Sequence, residues 1–172
     1  NTRIVRMNTN GSRMIKELEP ILRDRVMVIV TLSLDGTGEV HDYLRWPIKW
    51  KNYTKIVKSY QDLQKQYPLL KLNCWTTVSS LNVENMPNIL DFVTEHGLDH
   101  DWAFLKDPDV LSVKYTNTFT KRAKAKLDQS SYAVCRDISE KIAIGPDNSK
   151  LLDYFTKRQD KLRNIDIKDY FN

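Results

Sequence analysis

Ser33 and Asp35 close an apolar run and are followed at once by Gly36 and Gly38. Alternation along a strand turns the two polar side chains to one side, and the glycines let backbone approach a ligand closely. A hydroxyl and a carboxylate so placed could orient an amino group and a carboxylate of a substrate. The same residues also make an ordinary solvated turn, in which Asp and Gly have only conformational roles. Asn8, Thr9 and Asn10 form a second polar cluster before Gly11-Ser12, where backbone N–H groups ahead of a helix suit an anion. Further on, Thr76, Thr77, Ser79 and Ser80 lead to Asn82, placing polar groups where a buried strand is otherwise apolar.

Other groupings are weaker. His96 and His100 are four positions apart beside Asp99 and Asp101, but Gly97 breaks the helix that would align them. No third ligand follows at metal-site spacing, so no metal site is expected. Cys74 beside Trp75 reads as a buried, inert thiol. There is no G-x-S-x-G elbow, Walker loop or G-x-G-x-x-G, and the catalytic residues stay unassigned. Tyr43, Trp46 and Trp50 flank Arg45 and Lys49. They would suit a nucleic-acid stacking surface, but packing of a connection, with Arg45 against a ring, is the preferred reading.

The elements that must position these groups alternate between strand-like and helix-like. Strands are expected over Arg3–Met7, Val26–Leu34, Leu69–Val78 and Trp102–Leu105. The β-branched run Val26–Leu34 reads as a strand covered on both faces. Ser12 is the expected N-cap of a helix through Met14, Ile15, Leu18 and Leu22. Tyr53, Ile56, Val57, Tyr60 and Leu63 define an amphipathic helix over Lys51–Tyr67, stopped by Pro68. Asn85 caps a further helix, and Gly97 sits at its left-handed C-cap. Thr118–Ala133 and Asn148–Leu162 read as two polar helices. The alternation predicts right-handed βαβ crossovers and an α/β fold, in which ligands gather at the carboxyl ends of the strands.

The 172 residues include 41% hydrophobic and 28% charged side chains, which fits one globular α/β domain over 1–172 and excludes wholesale disorder. No apolar run nears the ~18–20 residues of a bilayer span, so no membrane partner is expected. With 27 basic and 22 acidic residues the net charge is +5, a mild excess that makes nucleic acid a possible but not favoured partner. Two cysteines, Cys74 and Cys135, are too few for a disulfide framework and point to a reducing, cytoplasmic setting. A chain that opens on Asn1-Thr2-Arg3 and runs straight into an apolar stretch reads as part of something longer.

Several pieces occur in the order of one family. Met7-Asn8-Thr9-Asn10-Gly11-Ser12 resembles the "TNG" that ends a third barrel strand, and Thr31-Leu32-Ser33-Leu34-Asp35-Gly36 resembles a fourth-strand "S-[IL]-D-G". Glu39–Trp46 resembles the "EYIRY" segment after it, Asn73–Asn82 the fifth strand with its terminal Asn, and Asp160-Lys161-Leu162-Arg163 the "D-x-x-R" of a closing helix. Together they resemble the C-terminal part of a radical S-adenosylmethionine enzyme of the twitch-domain-containing group found in phages and environmental sequences. The resemblance spans nearly the whole chain. It implies a partial (β/α) barrel, with strands three to six of a six-stranded partial TIM barrel and C-terminal helices.

By position, the resemblance puts Ser33 on the carboxylate or ribose of S-adenosylmethionine and Asn82 on its ribose or methionine part. Thr9 and Asn10 would line the cavity, and Asp35 would face substrate or cofactor. The complete protein would also hold a 4Fe–4S cluster, yet the family's C-x-x-x-C-x-x-C and Gly-Gly-Glu stretches are missing. This chain alone is therefore expected to bind no cluster and to be inactive. Its substrate would be a small molecule or a peptide. The unpaired edge of Arg3–Met7 would favour a homo-oligomer or a covering terminal segment.

Overall fold

The computed structural model of the protein describes residues 3–142 and 144–171. Four strands, β1 (Ile4–Thr9), β2 (Met27–Ser33), β3 (Leu70–Val78) and β4 (Asp99–Phe104), form one parallel sheet in the order β1-β2-β3-β4. Seven α-helices accompany them among the described residues: α1 (Leu18–Arg23), α2 (Gly38–Leu44), α3 (Trp50–Gln66), α4 (Met86–Glu95), α5 (Thr118–Asp128), α6 (Ala133–Ser139) and α7 (Ser149–Arg163). The expected α/β class is observed. None of these helices is long and apolar enough to cross a membrane.

The strand order never reverses. Right-handed crossovers that always advance in one direction leave their helices on the same side of the sheet, whereas a doubly wound sheet reverses and covers both. The covered face carries Val28, Val30, Leu32, Leu70, Leu72 and Cys74, packed with Leu18, Leu22, Tyr53, Val57, Tyr60, Ile89 and Val93 in one core. Burial in β2 and β3 alternates residue by residue. The expectation that Val26–Leu34 is covered on both faces is thus corrected. The β-branched run arises because Met27, Ile29 and Thr31 remain half-buried on the second face beside buried Val28, Val30 and Leu32.

Helix α3 spans 17 residues, about 26 Å of axis, and spacing of i, i+4 and i+7 turns Tyr53, Val57 and Tyr60 into the core. The expected helix from Ser12 is shortened to Leu18–Arg23, six residues. Instead, the N–H of Ser12 bonds the Asn10 side chain and that of Ile15 bonds the Tyr60 hydroxyl, at 3.1 Å each. Both contacts hold the segment in turns. The single helix expected over Thr118–Ala133 breaks after Asp128, and α6 then restarts at Ala133. Strand β4 begins three residues ahead of Trp102. Gly97, at φ +58°, ends the α4 turn as expected. Among the described residues, β1 pairs only with β2 and β4 only with β3, so both outer edges are free of a named strand.

Candidate functional site

The uncovered sheet face is apolar at Ile4, Met27 and Ile29 and turns polar towards the carboxyl ends of the strands. Register pairs Asn8 with Thr31 and Thr31 with Asn73, and in the next row Ser33 with Trp75 and Trp75 with Asp101. Paired residues of a parallel sheet share a face and sit about 4.8 Å apart, so Ser33, Trp75 and Asp101 form a continuous row. Asn73 Nδ2 donates to Asp101 Oδ2 at 2.9 Å, and Trp75 Nε1 donates to Thr77 Oγ1 at 3.3 Å. Asn73 Oδ1 is shut off from water and has no hydrogen-bond partner among the described residues. The Thr31 and Ser33 hydroxyls bond no other described side chain or backbone group. Parallel sheets are ordinarily covered on both faces. A face left open and polar at its carboxyl end suits the wall of a solvent- or ligand-filled space.

Asp35 continues the alternation of Ser33 and is fully engaged. Its Oδ1 accepts from the Thr77 N–H at 2.9 Å, extending the β2–β3 ladder past the end of β2, and its Oδ2 lies 2.5 Å from Arg45 Nη2. The Leu34 N–H bonds Trp75 O at 2.8 Å. Behind this knot, His41 is fully buried against Trp50 and Tyr53, at ring separations of 5.2 and 4.6 Å, and neither nitrogen finds a hydrogen-bond partner among the described residues. Burial, helped by the Arg45 charge, pushes His41 down to about 4, so the ring is neutral at pH 7.

The five sequence-predicted residues separate. Ser33 and Asp35 stand at the top of the open face. Asn10 is exposed at the end of β1, its Oδ1 accepting from Ser12 N–H at 3.1 Å. Thr9 alternates with exposed Asn8 and turns to the helix side, its Oγ1 accepting from Gly11 N–H at 3.2 Å. Asn82 is 1% exposed. Its Oδ1 accepts from Ser79 N–H at 2.7 Å and its Nδ2 donates to Thr77 O at 2.9 Å, so it locks the turn after β3. Thr9 and Asn82 are therefore spent on local geometry, and the strand-end groups do not all converge on one hollow. A cleft of about 230 Å³ opens behind the same loops, between Glu39, Glu84, Arg122 and Phe171, and none of the five lines it.

The His/Asp group is divided as well. His100 faces the covered side. Thr76 Oγ1 gives its only proton to Leu34 O at 2.5 Å, so at 2.8 Å it accepts from His100, which fixes the Nε2–H tautomer. His96 Nδ1–H donates to Phe92 O at 2.9 Å. Among the described residues, no three His, Cys, Asp or Glu side chains gather as metal ligands.

The cysteines do not fit an iron–sulfur cluster. Cys74 lies in β3 and Cys135 in α6, both buried, and burial pushes the Cys74 thiol up to about 12 and raises Cys135 too. Cluster ligation needs thiolates, the form that burial disfavours at both positions.

Contacts distant in sequence close the site from behind. The Tyr43 hydroxyl donates to Asp160 Oδ1 at 2.8 Å, and Arg163 Nη1 donates to Tyr43 O at 3.0 Å. The Asp and Arg of the D-x-x-R stretch thus grip the α2 segment that follows the Ser33–Gly36 loop. Trp46 is 44% exposed, whereas Tyr43 is buried against Tyr170 and Phe171. Arg45 pairs with Asp35 and stacks on none of these rings. No protein-family model matches the chain, and no curated protein matches it either.

Sequence reasoning missed the row Trp75–Asp101 and the Asp35–Arg45 and Tyr43–Asp160 pairs. The first had a signal, the period-2 alternation of Lys71, Asn73, Trp75 and Thr77 with Leu70, Leu72, Cys74 and Thr76. The Tyr43–Asp160 pair had none, since nothing local couples residues 117 positions apart, and the stretch from Asp35 to Arg45 shows no periodicity that brings the two together.

Proposed function

We propose that this chain forms part of the partial (β/α) barrel of a radical S-adenosylmethionine enzyme, with the open sheet face as the inner wall of its cavity. One observation carries the reading: the parallel sheet advances in a single direction, is covered by helices on one face only, and presents hydroxyl, amide and indole groups on the other. Such a sheet is what a barrel wall becomes when opened out. The order of the resembling segments, and the grip of Asp160 and Arg163 on Tyr43, support it further.

In that reading, Ser33 carries the unspent hydroxyl nearer the carboxyl end of β2, one row beyond that of Thr31, and is suited to a ribose or carboxylate oxygen of S-adenosylmethionine. Asp35 holds the loop through Arg45 and Thr77 and acts as a positioning residue. When bound and reductively cleaved, S-adenosylmethionine supplies the radical that abstracts hydrogen from substrate. The wall described here binds, orients and shields.

Anaerobic reconstitution of the product of the uninterrupted reading frame with ferrous iron and sulfide tests this. A brown chromophore with reductive cleavage of S-adenosylmethionine is expected. A colourless protein that leaves S-adenosylmethionine intact would overturn the proposal.

A second reading is a non-catalytic module for an acidic partner. It is favoured by the outward stripe of α7, where exposed Leu151, Tyr154 and Leu162 lie among Lys150, Arg158 and Lys161. Binding to single-stranded nucleic acid or an acidic peptide that weakens with rising salt would support it.

A further inference from the structure

The open face has an uneven charge pattern. Its lower row carries Arg6 and Lys71, and its β4 side carries Asp99 and Asp101, all on the uncovered side by strand alternation. Both aspartates are exposed, and neither has an ion-pair partner among the described residues. The β4 side of the face thus holds two carboxylates unpaired among the described residues, in a chain of net charge +5. Next to it, in register with Asp101, is Trp75, 39% exposed in the interior of the sheet rather than at its rim. Burying that indole would release water from a large apolar surface.

A carboxylate beside an exposed indole selects for cations. The carboxylate pairs with charge, and the indole face attracts it through the ring quadrupole. Planarity narrows the class. A guanidinium can stack on the indole while its N–H edge meets a carboxylate, whereas an ammonium is a compact, strongly hydrated point charge. Asp101 Oδ2 already accepts from Asn73 Nδ2 at 2.9 Å, which steadies the carboxylate and leaves Oδ1 for the ligand.

We infer that the row Ser33–Trp75–Asp101 recognises the guanidinium of an arginine side chain on the molecule to be modified. The inference rests on the reading of this face as a cavity wall and adds the substrate class to it. Trp75 and Asp101 are specificity residues, and neither is assigned a part in bond making.

The test titrates the chain with Nα-acetyl-arginine amide and follows the Trp75 indole N–H by NMR, assigned with Trp75→Phe. A saturable shift is expected within about 20 mM. Nα-acetyl-citrulline amide, uncharged and of the same shape, and Nα-acetyl-lysine amide should each bind at least about tenfold more weakly. Asp101→Asn, an exposed change that keeps the amide spectrum dispersed, should cost arginine binding at least about tenfold. Absence of a saturable shift, equal binding of citrulline or lysine, or unchanged binding by Asp101→Asn would each overturn the inference.

A parallel titration with S-adenosylhomocysteine separates the two claims. Uptake of S-adenosylhomocysteine without arginine retires the arginine assignment alone. Uptake of arginine without S-adenosylhomocysteine supports the assignment and counts against the radical-enzyme reading.

Discussion

Replacing Asp35 by Asn removes a charge while keeping an oxygen that can accept from Thr77 N–H. The carboxylate has two jobs, a hydrogen bond of 2.9 Å from the Thr77 backbone and a contact of 2.5 Å with Arg45 Nη2. The side chains are 18% and 23% exposed, so the pair sits between the surface and the interior. Exposed pairs contribute about 0–1 kcal/mol and removing one partner of a fully buried pair costs about 3–5 kcal/mol. Position between these limits sets the expected cost of Asp35→Asn at about 2 kcal/mol. Arg45 adds to it, because among the described residues its buried Nε has no partner and no other acidic group is within ion-pair distance. Asp35→Ala also orphans the Thr77 N–H and should cost about 1 kcal/mol more. Urea denaturation measures both changes, and a double-mutant cycle with Arg45→Met isolates the pair. A coupling below about 0.5 kcal/mol, with Asp35→Asn as stable as the parent, would refute the claim that this pair ties β2, β3 and α2 together.

Gly11 stands at φ +72°, and a Cβ there would lie 2.5 Å from the Tyr53 ring. Gly11→Ala should lose about 2–4 kcal/mol in chemical denaturation, from left-handed strain and overpacking together. His41 titrates at about 4 in the fold and near 6.5 when unfolded, so below pH 6.5 the unfolded chain binds a proton that the folded chain refuses. Stability is then complete above about pH 6.5 and falls by about 3 kcal/mol as pH drops to 4, and His41→Phe should flatten that slope. Cys74 and Cys135 are buried with raised thiols. Both should resist a colorimetric disulfide reagent in the native protein and react once urea unfolds it.

The continuous β-branched run made β2 legible in the sequence but hid the alternation that buries Val28, Val30 and Leu32 on one side. From the spacing of Tyr53, Val57 and Tyr60, α3 was legible too. The helix expected from Ser12 was not, because its apolar spacing competes with Asn10 and Tyr60, which capture the backbone N–H groups of Ser12 and Ile15. The break after Asp128 reflects a similar capture. The Tyr132 N–H turns to Ser130 Oγ, and Arg136 reaches back to the carbonyls of Ser130 and Ser131. At the site, alternation placed Ser33 and Asp35 on one side, but it could not tell that Asp35 would be consumed by Arg45. Thr9 and Asn82 look alike in sequence to a ligand-facing group and to a turn-locking one. Which of the two each became depends on Gly11 and Ser79, whose N–H groups needed acceptors.

The central claim is that the uncovered face, rather than the helix side or the cleft behind the loops, receives S-adenosylmethionine chemistry. Backbone amide mapping during a titration with S-adenosylhomocysteine addresses it most directly. The account predicts saturable shifts centred on Ser33, Trp75 and Thr77 that Ser33→Ala weakens by about tenfold. Shifts centred instead on Glu84, Arg122 and Phe171, or none at all, would contradict it.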